Sequence, residues 1–227
     1  HGDYRLIALA PASVQEMADF VGLAFDLAFK YRNPAIILAD GVIGQMMEKV
    51  VLPEQRPRLT NEEVMARCPW ATFGKLKHRG PNIVTSLELD PAEMEKRNIH
   101  LQQKYAEIEE KEVRYEEIHC DDAEYLIVAF GSCARIAQKA MEEARAEGIK
   151  VGLLRPITLW PFPSKAIAER SRQVKGILTV ELNAGQMVED VRLAVECKVP
   201  VEYFGRLGGI VPDPDEVVTA LKEKIIK

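Results

Sequence analysis

The sequence predicts an α/β protein with two regions of mostly parallel sheet, because short apolar runs alternate with longer helical patterns near both ends of the chain. Near the start, the runs from Arg5 to Ala10 and from Pro34 to Ala39 enclose a helical pattern over residues 14 to 31. After residue 121 the alternation resumes and continues to the last helix. Such spacing is typical of parallel strands joined by crossover helices.

The N-terminal runs predict a strand–helix–strand unit within residues 1 to 49. Ser13 and Glu16 have the spacing of a capping box, which marks the helix start. The polar residues of this helix fall on one side, so we expect the helix to be mostly buried. A lone βαβ unit leaves sheet edges unpaired. We therefore expect that strands flanking the first strand lie upstream of His1, and that the edge near Arg5 is open to self-association as a homodimer.

Residues 50 to 120 are interpreted as an extended arm followed by a connector helix. Prolines interrupt the arm, and Thr60 with Glu63 predicts at most one short helix. The arm also carries a basic run, for which a solvated loop is the preferred interpretation and an acidic partner or a phosphate the alternative. That run comprises Lys75, Lys77, His78 and Arg79.

A second helix is predicted to begin at Asp90 and Pro91 and to run to about Glu117. Its apolar seam favours a connector lying across a surface, with a free coiled coil as the alternative. The seam consists of Met94, Leu101, Ile108 and Tyr115.

Residues 121 to 227 predict a complete, doubly wound α/β domain. Its four predicted strands are "EYLIVAFG", "KVGLLR", "GILTVEL" and "VEYF". Ser132 is predicted to cap the helix after the first of them, and Asp213 with Glu216 to open the last helix.

Composition limits the classes of partner. The 227 residues are 47% hydrophobic and carry a formal net charge of −5. This charge disfavours nucleic-acid binding, and no apolar run is long enough to cross a bilayer, so we expect neither nucleic acid nor a membrane as a partner. The four cysteines form no C-x-x-C pair, which predicts a reducing cytoplasm and no metal or iron–sulfur site in this chain.

Candidate partner-contacting residues lie in the turns after strands, where ligands and partners meet open α/β sheets. Asp40 and Gln45 belong to the turn "ADGVIGQ", where helix capping by Asp40 is the preferred interpretation. Trp160 lies in a loop stiffened by prolines, which either anchors an interface or covers its own domain.

Two later turns add further candidates. Glu181, Asn183 and Gln186 follow the strand "ILTV" beside a helix start, and Arg206 lies among glycines in "GRLGG". For the residues after "ILTV", capping and turn formation are simpler interpretations than recognition of a partner backbone. The "GRLGG" segment suits either close backbone contact or a flexible turn. None of the turns has the glycine spacing of a nucleotide site, and no histidine or nucleophile motif is present, so we predict no catalytic residue in this chain.

Six dispersed strings carry a resemblance to a known family. They are "HGDYRLIALAP", "SVQEM", "ILADGVIGQMMEKV", "VGLLRPITLWPFP", "ELNAGQMVEDV" and "GRLGG". Together they resemble the alpha subunit of 2-oxoacid:ferredoxin oxidoreductases, particularly the type that acts on 2-oxoisovalerate (3-methyl-2-oxobutanoate).

The resemblance implies a fold and an activity. Residues 1 to 49 would be the last part of a domain that binds the pyrimidine end of thiamine diphosphate, and residues 121 to 227 a domain similar to the C-terminal domain of transketolase. The family oxidatively decarboxylates a 2-oxoacid to its acyl-CoA and passes the electrons to ferredoxin. Pyruvate or 2-oxoglutarate as the substrate, or a non-catalytic assembly or ferredoxin-docking module, are the alternatives.

The resemblance also implies what other chains supply. The family's cofactor-activating glutamate and its substrate-carboxylate residues precede the "HGD" segment, so this chain alone is expected to be inactive. The family's G-D-G motif for Mg²⁺ and diphosphate is missing, since Ala39 stands where glycine is needed. We therefore expect a beta subunit to hold Mg²⁺ and diphosphate, and other subunits to carry the iron–sulfur clusters and to serve coenzyme A and ferredoxin.

Overall fold

A computed structural model describes residues 3 to 71 and 80 to 226. The basic run from Lys75 to Arg79 and the first residue, His1, lie outside this part of the chain. Packing divides the chain into two compact units, His1–Val51 with Ile108–Lys227, and Leu52–Glu107. Among the described helices, none combines the length and the apolar character needed to cross a membrane.

Eight strands and eight α-helices are found in the described residues. The strands are β1 Ile7–Leu9, β2 Ala35–Ile37, β3 Tyr115–Ile118, β4 Tyr125–Ala129, β5 Val151–Pro156, β6 Thr158–Trp160, β7 Ile177–Glu181 and β8 Val201–Gly205. The helices are α1 Val14–Tyr31, α2 Gly41–Gln45, α3 Asn61–Arg67, α4 Pro91–Lys111, α5 Gly131–Ala146, α6 Ser164–Ser171, α7 Met187–Val195 and α8 Pro214–Leu221, followed by a π-helical turn, Lys222–Ile226.

The first sheet has three strands in the order β2-β1-β6. β1 and β2 are parallel, with Ile7 opposite Ala35, whereas β6 runs antiparallel to β1, with Leu9 opposite Thr158. Both edges of β1 are therefore paired within this chain, and the expectation of an open edge beside Arg5 is wrong. The physical reason is that the proline-rich loop after β5 forms a strand that occupies this edge.

The second sheet has five strands in the order β3-β5-β4-β7-β8, all parallel except β3 at the edge. Side chains of the central strands alternate between two buried faces, as in β4, where Ile127 joins one core and Leu126 and Val128 join the other. Helices α5 and α8 pack together, as do α6 and α7. After β4 the chain continues to β5, its neighbour on one side within the sheet. After β7 it continues to β8, which lies in the opposite direction within the sheet. The switch point is therefore the boundary between β4 and β7.

Three expectations about helices are wrong. The charged helix α4 ends at Lys111, because the chain then forms β3, so Tyr115 belongs to a strand and not to the seam. Ser132 is the second residue of α5 and not its cap, since the helix begins at Gly131. Helix α1 is only partly buried, with Phe25 63% exposed and Phe29 51% exposed.

The start of α1 differs from a reciprocal capping box. Ser13 Oγ accepts a hydrogen bond from Glu16 N at 3.1 Å, as predicted, but the Glu16 carboxylate accepts one from Ala12 N at 2.7 Å. The same carboxylate accepts two hydrogen bonds from the guanidinium of Arg155, each at 2.7 Å. Arg155 comes from β5 and its side chain is 8% exposed. This pair therefore ties α1 to the second sheet.

The surroundings of Glu16 and Arg155 favour the charged forms of both side chains. Burial alone would raise the pKa of Glu16, but the hydrogen bonds from Arg155 and Ala12 outweigh burial and hold that pKa below its usual value. Glu116 of β3 adds a second carboxylate, 3.0 Å from Arg155 Nε. Arg155 is thus a buried cation shared by carboxylates from two elements.

Removing the buried cation is predicted to destabilise the protein. We expect Arg155→Met to lower the free energy of unfolding by about 3 kcal/mol, because Glu16 is left without its partner. Arg135→Met is the matched control, since Arg135 forms a more exposed pair with Glu48 at 2.6 Å, and its loss should cost about 0.5 kcal/mol. Urea unfolding of the two variants tests this, and equal losses would contradict it.

The same pair predicts a pH dependence of stability. A carboxyl group whose folded-state pKa is lowered stabilises the protein at neutral pH, and this contribution disappears as the pH falls through the folded-state value. We expect Glu16→Gln to be less stable than the wild type at neutral pH. The difference in the free energy of unfolding between the wild type and Glu16→Gln should become smaller below the ordinary carboxyl pKa of about 4.3. Urea midpoints measured across this range test the prediction, and a constant difference would argue against it.

Candidate functional site

A crevice lies where strands of both sheets end, at the switch point between β4 and β7. It has a volume of about 200 Å³. Its lining residues come from the ends of β2, β4 and β7 and are Leu38, Ala39, Asp40, Phe130, Gly131, Cys133, Glu181, Leu182 and Asn183. Because open α/β sheets bind ligands outside the carboxyl ends of strands at such a point, this crevice is the candidate functional site.

Asp40 caps two helices with one carboxylate. Its Oδ1 accepts hydrogen bonds from Val42 N and Ile43 N, each at 3.0 Å, which confirms the predicted cap of α2. Its Oδ2 accepts a hydrogen bond at 2.8 Å from Ser132 N, in the first turn of α5. Both carboxylate oxygens are therefore occupied by backbone donors.

Glu181 is a second internal cap and is fully buried. Its carboxylate accepts hydrogen bonds from Gln186 N at 3.1 Å, Met187 N at 2.8 Å and Val188 N at 3.0 Å. These are backbone donors at the start of α7, which favours a negative charge. In the sequence Glu181 stands at the end of an apolar strand beside a helix start, which is the signal for such a cap.

Asn183 lines the crevice while it forms the turn after β7. Its Oδ1 accepts a hydrogen bond from Gly185 N at 2.7 Å, and its backbone oxygen accepts one from the hydroxyl of Tyr203. Gln186 uses its backbone N–H on Glu181, as described, and its side chain is exposed. The turn-forming interpretation therefore accounts for the observed hydrogen bonds of both residues.

The other sequence-predicted residues occupy different places. Arg206 donates its backbone N–H to Glu181 O at 3.3 Å, and its guanidinium lies 2.8 Å from Glu216 of α8. Gln45 is the exposed last residue of α2. Trp160 is half-buried in β6, opposite Ala8. Of the six candidates, the structure brings Asp40 and Asn183 into the crevice, and a partner role for any of the six stays a prediction.

The buried thiol of Cys133 lies in the same crevice. Burial, reinforced by the carboxylates of Asp40 and Glu181, raises the pKa of Cys133 to about 12. A thiol with such a pKa is protonated at neutral pH and is a poor nucleophile. Cys133 is therefore a packing residue in this environment.

The crevice does not fit a diphosphate with Mg²⁺. Its two carboxylates would repel a diphosphate, and backbone donors at the starts of α2, α5 and α7 already bind those carboxylates. Within residues 3 to 71 and 80 to 226, no group of three or more histidine, cysteine, aspartate or glutamate side chains could hold a metal ion. We therefore derive no chemical step through these groups in this chain.

Comparisons with known proteins agree with this architecture. The family model described as pyruvate flavodoxin/ferredoxin oxidoreductase, thiamine diphosphate-binding, matches residues 2 to 118, just over half of the chain. The model for core domain II of pyruvate:ferredoxin oxidoreductase matches residues 123 to 217.

Two curated relatives and one solved structure are similar over nearly the whole chain. The ketoisovalerate oxidoreductase subunit VorB of Methanothermobacter thermautotrophicus is 48% identical over 98% of this chain and 61% of the relative. The 2-oxoglutarate synthase subunit KorA of Methanothermobacter marburgensis is 32% identical over 97% of this chain and 64% of the relative. The 2-oxoglutarate:ferredoxin oxidoreductase of Magnetococcus marinus has a TM-score of 0.75 at 22% identity, over 98% of this chain and 43% of that one. The chain thus spans about three fifths of the curated relatives it matches.

The fold and the crevice together define an α/β protein in which two carboxylates of the chain itself bind the helix starts around the switch point. The chain belongs to the pyruvate flavodoxin/ferredoxin oxidoreductase family, and the predicted resemblance to 2-oxoacid:ferredoxin oxidoreductases is confirmed.

Glu181 is predicted to be essential for the start of α7. We expect Glu181→Gln to lower the free energy of unfolding by about 2 kcal/mol, because an amide nitrogen replaces an oxygen that accepts backbone hydrogen bonds in a buried place. Glu189→Gln is the matched control, since Glu189 is an exposed residue in the same first turn. Thermal and urea unfolding test the difference, and similar stabilities of the two variants would contradict it.

The cysteines are predicted to differ in reactivity. At a pH of about 8, a thiol with a pKa near 12 is ionised in only about one molecule in ten thousand. We expect iodoacetamide to modify exposed Cys197 readily in the folded protein and to leave Cys133 unmodified until the protein is unfolded. Peptide mass spectrometry tests this with Cys197→Ser as the control. Rapid modification of folded Cys133 would contradict the buried, uncharged state.

Proposed function

We propose that the chain is part of a subunit of a 2-oxoacid:ferredoxin oxidoreductase that oxidatively decarboxylates the branched-chain 2-oxoacid 2-oxoisovalerate. The products are its acyl-CoA and CO₂, and ferredoxin is reduced. The observation that carries this proposal is the 48% identity to a ketoisovalerate oxidoreductase subunit over 98% of the chain, against 32% for a 2-oxoglutarate synthase subunit. The higher identity favours the branched-chain substrate over 2-oxoglutarate.

The domain roles are part of the proposal. Residues 1 to 49 contribute to a pyrimidine-binding domain for thiamine diphosphate, residues 50 to 120 are the arm and connector, and residues 121 to 227 form the transketolase C-terminal-like domain. The family models support the boundary near residue 120, because one ends at residue 118 and the other begins at residue 123. Four of the five strands of the second sheet follow this boundary, whereas its edge strand β3 precedes it.

Partner subunits supply the remaining groups. A beta subunit holds Mg²⁺ and the diphosphate of the cofactor, and further subunits carry iron–sulfur clusters and serve coenzyme A and ferredoxin in the cytoplasm. The chemistry of the crevice supports this arrangement, since Asp40 and Glu181 disfavour a diphosphate in the described part of the chain. The thiamine group supplies the decarboxylation chemistry when it is bound. This chain contributes to the pyrimidine-binding domain and to assembly.

The substrate is tested on the complete complex that contains this chain. We expect coenzyme A-dependent ferredoxin reduction with a kcat/KM for 2-oxoisovalerate at least about tenfold above the values for pyruvate and 2-oxoglutarate, because a pocket that fits a branched apolar side chain discriminates by about this factor. Reactions without coenzyme A are the control. The isolated chain should show no turnover. A preference for 2-oxoglutarate or pyruvate would overturn the substrate, and no ferredoxin reduction with any 2-oxoacid would overturn the function.

A further inference from the structure

The first turn of α5 has no side-chain cap from its own neighbourhood. The N-cap residue is Phe130, which makes no side-chain hydrogen bond to the helix start. The amide of Ser132 instead donates to Asp40 Oδ2, a residue 92 positions away in sequence. A 16-residue helix thus receives its cap from the N-terminal βαβ unit.

The backbone at the helix start is shaped to admit this carboxylate. Gly131 has a φ of +61°, a left-handed conformation that favours glycine. A Cβ atom at this position would lie 2.7 Å from Asp40 Oδ2, closer than a carbon and an oxygen approach without displacement. Glycine is therefore required both by the conformation and by the nearness of Asp40.

The carboxylate serves both helices at once. Oδ1 binds the start of α2 and Oδ2 the start of α5, and the start of each helix favours a negative charge. A second link joins the same segments, between Glu48 and Arg135 at 2.6 Å, but those side chains are 29% and 44% exposed. Exposed pairs contribute little, so Asp40 is the stronger connection.

We propose that Asp40 acts as a latch that holds the end of β2 against the switch point of the second sheet. The backbone amides at the start of α5 form an anion-binding site, here called the socket. The Asp40 carboxylate is the anion that occupies it. Release of Asp40 uncovers the amide of Ser132 at the start of α5 and opens the crevice at the carboxyl ends of β4 and β7. This device is independent of the proposed substrate, since it depends on contacts within the chain alone.

Hydrogen exchange resolved by residue separates the two functions of Asp40. In Asp40→Asn the amide oxygen can still cap α2, whereas the amide nitrogen cannot accept the hydrogen bond from Ser132. We expect exchange at Ser132 to accelerate about tenfold, with Val42 and Ile43 little changed. Glu48→Gln is the matched control and should leave exchange at Ser132 unchanged. No acceleration in Asp40→Asn, or equal acceleration in the control, would overturn the latch.

Chemical rescue tests the socket directly. Asp40→Ala leaves a space of carboxylate size at the start of α5, and we expect formate to raise the urea midpoint of this variant more than chloride at equal ionic strength. The wild type, in which Asp40 fills the site, should respond equally to both salts. An equal response of Asp40→Ala to formate and chloride would overturn the socket. Should Asp40→Ala not fold, the exchange measurement on Asp40→Asn decides the proposal.

Discussion

The arrangement of the two sheets depends on the buried guanidinium of Arg155. This side chain, on β5 of the second sheet, binds the carboxylate at the start of α1, and only Ile157 separates β5 from the strand that pairs with β1. A buried cation needs its partners, because an uncompensated charge in the interior is costly. The Glu16–Arg155 pair and the adjacent β1–β6 pairing therefore fix the N-terminal unit at one place on the second sheet.

The strands that the sequence predicted contain apolar runs, although β2 is only partly buried. β4, β5 and β7 are mostly apolar and are buried on both faces, and such runs are recognisable without tertiary information. β3 and β6 escaped prediction for a different reason. β3 has the polar sequence "YEEI" at a sheet edge, and β6 lies in a proline-rich loop. Each is defined by pairing with a strand distant in sequence, which no local pattern encodes.

The residues of the candidate site likewise differ in whether a local sequence pattern predicts their contacts. Asp40 and Asn183 were predictable because aspartate and asparagine in turns after strands have well-known local roles. The link from Asp40 to Ser132 was not predictable, since it joins residues far apart in the chain. The place of Glu181 at a strand end was predictable, but its complete burial was not, because that burial is tolerated only where three backbone amides surround its carboxylate.

The position of β6 has a consequence for synthesis on the ribosome. β1 is translated well before β6, the strand that covers its second edge, because β6 lies far downstream in the chain. Contacts between such distant segments form slowly, and unpaired strand edges are prone to association in the meantime. The edge of β1 therefore stays unpaired until β6 has been made, so errors in co-translational folding should concentrate at β1.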